Sequence, residues 1–179
     1  ARPKVLHSLA GKALLGHALD AVAALNPKSL CVVIRHERQA VAQYVNENYP
    51  QAVLADQDEI PGTGRAVQCA LGKLAQQGEL TGTVVITSGD VPLLESSTLE
   101  KLLETQQLSG NQVTVLTTLV PDPSGYGRVI RSDSGAVSAI VEDRDCEEGQ
   151  RNIREINAGI YAFDAQFLSQ ALSGLDTDN

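Results

Sequence analysis

Asp90 is the side chain best placed to do chemistry. It follows a short apolar, β-branched run in the stretch T-V-V-I-T-S-G-D-V-P-L-L, Thr83–Leu94. Such a run ending in turn residues predicts a buried strand. In open α/β sheets, ligands bind just beyond the carboxyl ends of the strands. Gly89 lets the backbone bend close to a ligand, Ser88 sits beside it, and Pro92 stops the strand. A carboxylate so placed suits a hard cation such as Mg²⁺ and, through it, a triphosphate. The same residues also fit a turn aspartate that caps the next helix.

Other groups with chemical potential are scattered along the chain. Lys4 carries a compact ammonium able to neutralise a phosphate at the sheet edge, or it is an ordinary exposed lysine. Gly62-Thr63-Gly64 lies between a short strand and a helix, where close backbone approach and helix-start N–H groups could receive an anion or a base carbonyl. No Lys-Ser/Thr follows it and no G-x-G-x-x-G is formed, so a simple turn fits as well. Gln57, just upstream, offers an amide donor and acceptor suited to a base edge. In Ser124-Gly125-Tyr126-Gly127-Arg128 the backbone could approach a sugar while Arg128 holds a phosphate; the alternative is a hairpin entry with an exposed arginine. Glu142 and Asn157 each end or enter a strand, where they could bond sugar hydroxyls or simply face water.

The elements that must position these groups alternate through the first two thirds of the chain. Leu14, Leu15, Ala18, Val22 and Leu25 recur at helical spacing, and Asn26-Pro27 closes that helix. Ser29–Ile34 reads as a buried strand, Gln39–Asn48 as a polar helix and Ala52–Ala55 as a second short strand. Ala66, Val67, Ala70, Leu71 and Leu74 mark the next helix. The strand leading to Asp90 follows, then a helix over Ser97–Gln107 capped by Ser96 or Ser97. Strands separated by helices of this length predict right-handed βαβ crossovers and an α/β fold with a doubly wound, mainly parallel sheet. After Asn111 the pattern changes to Val113–Val120, then Gly127–Arg131 turning into Ala136–Glu142 as a small hairpin, a charged loop, and Glu155–Phe163. Arg144, Arg151 and Arg154 in that loop are expected to be solvated and partly self-paired.

Composition narrows the class. The 179 residues are 42% hydrophobic and 20% charged, which is one soluble domain's worth of core. A net charge of −8 argues against nucleic acid or an anionic membrane as partner. No apolar run is long enough to span a bilayer, and no leader opens the chain. Cys31, Cys69 and Cys146 have no metal spacing; Cys31 and Cys69 are expected as buried thiols, which fits a reducing cytoplasm. Both ends look cut, with no strand before the first helix, so the chain reads as part of something longer.

In order and spacing, these pieces resemble the sugar nucleotidyltransferase family. More narrowly they are similar to the uridylyltransferase domain of the bacterial bifunctional N-acetylglucosamine-1-phosphate uridylyltransferase/glucosamine-1-phosphate acetyltransferases. The likeness runs from P-K-V-L-H-S-L-A-G-K through Gln57 with G-T-G, G-D-V-P-L-L and G-Y-G-R to I-V-E at Glu142 and E-I-N-A-G-I-Y at Asn157. It implies a Rossmann-like fold of the nucleotide-diphospho-sugar transferase type. It also implies Lys4 on the phosphates, Gln57, Gly62 and Thr63 on uracil and nucleotide, and Asp90 on Mg²⁺ with Ser88 and Gly89 beside it. Gly127, Glu142 and Asn157 match groups that hold N-acetylglucosamine. The substrates implied are UTP and N-acetylglucosamine-1-phosphate.

Three departures from the family pattern qualify the reading. The phosphate-cradling L-A-A-G-x-G-T-R-M loop and its central strand should precede Ala1, so residues 1–179 read as a partial nucleotidyltransferase domain. The asparagine that shares the metal with the aspartate should lie beyond Asn179. So should the left-handed β-helix that carries acetyl transfer and homotrimer formation. The stretch by itself is therefore expected to be inactive. Rival readings are a nucleotidyltransferase for another sugar phosphate, and a non-catalytic domain that binds a sugar nucleotide.

Overall fold

Helix α1 (Leu14–Ala23) is the element on which two hydrophobic cores meet. Leu15 and Leu19 pack with Val32, Ile34, Val41 and Val45, whereas Ala21 packs with Leu99, Leu102, Ile160 and Ala162. The apolar positions recurring every three to four residues wrap far enough round this helix to serve both sides. The structure, a computed structural model, describes residues 2–174; Ala1 and the polar closing stretch 175–179 lie outside the described residues.

Ahead of α1, a single 3-10 turn at Lys4–Leu6 leads into a small antiparallel pair, β1 (Ser8–Leu9) and β2 (Lys12–Ala13), with Ala10 and Gly11 at positive φ in its turn. β3 (Cys31–Ile34) and β4 (Val53–Asp56) run parallel, Cys31 opposite Val53 and Ile34 opposite Asp56. The crossover between them is α2 (Arg38–Asn48), as the alternating pattern requires. α3 (Thr63–Ala75) then leads to β5 (Thr83–Ile86), and α4 (Ser96–Ser109) to β6 (Val113–Leu119). β7 (Arg128–Arg131) and β8 (Val137–Val141) form the expected hairpin, and β9 (Glu155–Asp164) precedes α5 (Ala165–Ser173).

β9 organises the five-stranded sheet. Along one side it pairs antiparallel with β6, from Leu119↔Glu155 to Val113↔Phe163. On its other side β5 occupies the far end (Ile86↔Tyr161, Thr83↔Asp164), while β7 touches the near end through Arg128↔Ile156. The parallel ladder among the described residues is thus the β3–β4 pair, and β9 returns against its neighbours. The α/β class and the helical crossovers are those expected.

Several local expectations change. The α4 cap position is taken by Glu95, not by Ser96 or Ser97; the Ser97 hydroxyl donates to Glu95 Oε2 at 3.2 Å and reaches no helix N–H. β5, expected to be fully buried, is half-buried at all four residues, and α3 buries none of its apolar stripe. The cause is a cavity of about 810 Å³ lined by β3, β5, α1 and α3, into which Leu71, Leu74 and Val85 face. The second edges of β3 and β5 carry no ladder among the described residues. Cys31 lines the same cavity and, like Cys69, is half-buried rather than buried; desolvation still pushes its thiol up to about 11.

Candidate functional site

The carboxyl ends of β3, β4 and β5 bring most of the nominated residues to one mouth. Gln57, Gly62, Thr63, Ser88 and Gly89 all line the large cavity, with Val5, the neighbour of Lys4, on its wall. Gln57 follows β4 directly, and its backbone N–H donates to Ile34 O at 2.9 Å. Its side-chain nitrogen donates to Ile60 O at 3.0 Å and Gly62 O at 3.1 Å, so the amide braces the 58–62 loop. Gly62 stands at the start of α3 with φ +111° and ψ 150°, a region essentially closed to residues with a Cβ. A Cβ there would meet nothing within 4 Å, so the requirement is the backbone angle and not the space.

At the end of β5, Asp90 is held from two directions. Its Oδ1 accepts from the Ser88 hydroxyl at 2.7 Å, and its Oδ2 accepts from Lys4 Nζ at 2.8 Å. The lysine hydrogen bond, then that of Ser88, holds the Asp90 carboxyl below the usual carboxylate range. Lys4, 78% exposed, is raised by the same contact. Gly89 packs under this pair with Leu15 Cδ1 3.0 Å from where a Cβ would sit, so the backbone passes flush against α1.

Among the described residues no group of three or more His, Cys, Asp or Glu side chains gathers to enclose a metal. One ionised, partly exposed carboxylate still fits Mg²⁺, which keeps several waters and is commonly held by one or two carboxylates together with substrate phosphates.

A separate cluster lies on the β7–β8–β9 sheet. Because Arg128 pairs with both Val141 and Ile156, the preceding rung carries Gly127 between Glu142 and Asn157. Asn157 N–H donates to Gly127 O at 2.8 Å. A Cβ on Gly127 would lie 3.1 Å from Ile140 Cγ2 and 3.4 Å from Glu142 Oε1, so glycine is what keeps the centre of the rung open. Asn157 is fixed in turn: its Oδ1 accepts from Gly159 N at 2.9 Å and its Nδ2 donates to Tyr161 Oη at 2.5 Å.

Arg128 does not do what its exposed-looking motif implied. It is 2% exposed, donates to Asp143 Oδ1 at 2.8 Å through Nη2 and to the Tyr126 carbonyl through Nη1, and so is unavailable to a phosphate. Of the arginines in the charged loop, Arg144 pairs with Asp145 at 3.4 Å, while Arg154 donates to Val120 O at 3.0 Å. Nothing in the spacing of Asp143 or Tyr161 marks them; only contacts made in the fold bring Asp143 to Arg128 and Tyr161 to Asn157.

A family description, MobA-like NTP transferase domain, matches residues 1–154. The chain belongs to that family. Over 177 residues it is 51% identical to "Bifunctional protein GlmU" of Paenarthrobacter aurescens (strain TC1), an alignment covering 99% of this chain and 36% of that protein. The chain spans 36–39% of the length of the curated relatives it matches. In fold it is similar to a CMP:2-keto-3-deoxy-manno-octonic acid synthetase complexed with CTP (TM-score 0.71, 18% identity, 97% of this chain and 72% of that one). It is similar also to an apo UDP-glucose pyrophosphorylase (TM-score 0.73, 13% identity, 96% and 71%). In open α/β sheets ligands bind beyond the carboxyl ends of the strands, and here Gln57, Gly62, Thr63, Ser88 and Gly89 line the cavity where β3, β4 and β5 end. No helix among the described residues is long and apolar enough to cross a membrane.

Proposed function

We propose that this domain transfers a uridylyl group from UTP to N-acetylglucosamine-1-phosphate, giving UDP-N-acetylglucosamine and pyrophosphate. The observation that carries the reading is the Lys4–Asp90 pair at the mouth shared by Gln57, Gly62 and Thr63. The half-identity to a GlmU protein supports the choice of substrates.

The sugar phosphate oxygen attacks the α-phosphorus of UTP. A new P–O bond forms as the α–β bridging bond breaks, and the pair of electrons leaves with pyrophosphate. The nucleophile is already an anion, so no general base is required. Rate then comes from positioning and from neutralising charge. Lys4 is exposed enough to swing from Asp90 onto a phosphate, leaving Asp90 Oδ2 free. Asp90 would hold Mg²⁺, which supplies charge neutralisation on the triphosphate. Both protons of the Gln57 amide are engaged by the loop, so uracil would be read through the amide oxygen and through N–H groups near Gly62. Gly127, Glu142 and Asn157 would hold the N-acetylglucosamine, the open rung admitting the ring and the flanking side chains bonding its hydroxyls.

Two edges without ladders, both opening on one apolar cavity between α1 and α3, support the further reading that the complete domain has a strand between β3 and β5. Acetyl transfer to glucosamine-1-phosphate, a homotrimer built on a β-helix and a cytoplasmic location belong to the same proposal for the whole protein.

The test is pyrophosphate release by the full-length protein with UTP and N-acetylglucosamine-1-phosphate, with and without Mg²⁺. Glucose-1-phosphate and dTTP serve as competing substrates. Magnesium-dependent turnover that favours UTP and the N-acetylated sugar is expected. A preference for another pair, or binding without turnover, would overturn the assignment.

A further inference from the structure

We propose that the Arg128–Asp143 ion pair is a positioning device that sets the width of the Gly127–Glu142–Asn157 rung, and so determines affinity for the sugar moiety. The inference rests on the reading of that rung as the sugar site. Arg128 follows Gly127 in sequence, and Asp143 follows Glu142, so the pair ties the central backbone of the rung to the one on its Glu142 side. Arg128 also donates to the Tyr126 carbonyl. One buried guanidinium and one carboxylate thereby lock the turn that delivers Gly127 against the 3-10 turn that follows Glu142, Asp143–Asp145.

The arrangement is a poor one for stability alone. Arg128 Nε is buried without a hydrogen-bond partner, and an incompletely satisfied buried charge is worse than a well-packed apolar side chain. What it supplies is a fixed separation. Charge-assisted hydrogen bonds are short and directional, while an apolar contact between two turns allows them to slide. Glu142 has to sit where its Oε1 lies just clear of Gly127, 3.4 Å from the missing Cβ, and a small shift of either turn would close or widen that gap. Neither residue lines the cavity between α1 and α3 where Gln57, Gly62 and Thr63 lie.

The experiment is steady-state kinetics of the full-length protein carrying Asp143→Asn, with calorimetric titration of UDP and UDP-N-acetylglucosamine. The expected result is a KM for the sugar phosphate raised about tenfold, as for other groups that orient a binding residue at one remove. The KM for UTP and the affinity for UDP should change less than twofold, on the order of what an independent site shows. Asp143→Glu keeps the charge but lengthens the arm, and should give a smaller shift in the same direction. It also carries the test should the asparagine variant not fold. Unchanged sugar KM, or equal losses for both substrates, would overturn the proposal. Failure of the unsubstituted protein to use a sugar phosphate at all would instead sink the functional reading beneath it.

Discussion

Lys4 Nζ lies 2.8 Å from Asp90 Oδ2, although 86 residues of sequence separate them. The contact puts a largely exposed cation and an ionised carboxylate just beyond the end of β5, where each satisfies the other. Such a pair is weak as a strut, because the lysine is largely in water. In the proposed function it serves instead as a binding element, the ammonium going to the triphosphate and the carboxylate to a cation.

Replacing Asp90 by asparagine in the full-length protein removes the charge while keeping the Ser88 contact possible. Turnover is expected to fall by about 10²–10³-fold, the usual loss when one electrostatic group at a reacting phosphate is removed. The melting temperature should scarcely move. Parallel activity assays and thermal denaturation check both halves, and near-normal turnover would end the metal role proposed for this residue.

Gly62→Ala tests the backbone at the nucleotide side. At φ +111° alanine is strained, with an expected stability loss of about 1 kcal/mol or more. UTP binding should weaken along with it, because the N–H groups that follow must reorient. Titration with UTP and denaturant unfolding would report the two effects separately.

Gly127→Ala should act on the sugar and spare the nucleotide. The new methyl would stand 3.1 Å from Ile140 Cγ2 and 3.4 Å from Glu142 Oε1. Affinity for UDP-N-acetylglucosamine is expected to drop about tenfold, comparable to mispositioning a binding group by a fraction of an ångström. Affinity for UDP measured in the same calorimeter should be close to that of the unsubstituted protein.

Acid should expose the contribution of Glu155. Arg131 grips its carboxylate through two contacts, Nη2 to Oε1 at 2.6 Å and Nε to Oε2 at 2.8 Å, and Thr117 adds a third at 2.7 Å. The arginine hydrogen bonds hold this carboxyl below its ordinary value of 4.5. A depressed folded-state value means that the stabilisation is fully present above about 4.5 and is lost as pH falls through the lower value. Chemical denaturation at pH 6 should therefore show Glu155→Gln less stable than the unsubstituted protein. The difference should narrow progressively as pH falls below about 4.5, and a gap that stays constant on acidification would contradict this origin.

Much of the fold was legible because short-range pattern decides it. The 3.6-residue recurrence at Leu15, Ala18 and Leu19 and the β-branched runs at Val32–Ile34 and Thr83–Ile86 mark elements whose type is set by their own spacing. The Asp/Ser/Gly turns around Ser132-Asp133-Ser134-Gly135 likewise announce the β7–β8 hairpin. Ser96 and Ser97 fail as caps because capping depends on one backbone angle, and the chain turns into the helix one residue earlier.

Residue order along the chain sets which groups are available for chemistry: a carboxylate after a strand, a lysine at position 4, glycines where backbone must come close, and an amide beside them. Tertiary structure alone decided their partnerships. It set Lys4 on Asp90, buried Arg128 against Asp143 instead of leaving it to a phosphate, and left β5 half-exposed beside a cavity. The physical reason is that hydrogen bonds and ion pairs form between groups distant along the chain. Their geometry follows from ladder register and helix packing, neither of which leaves a periodic trace in the residues that take part.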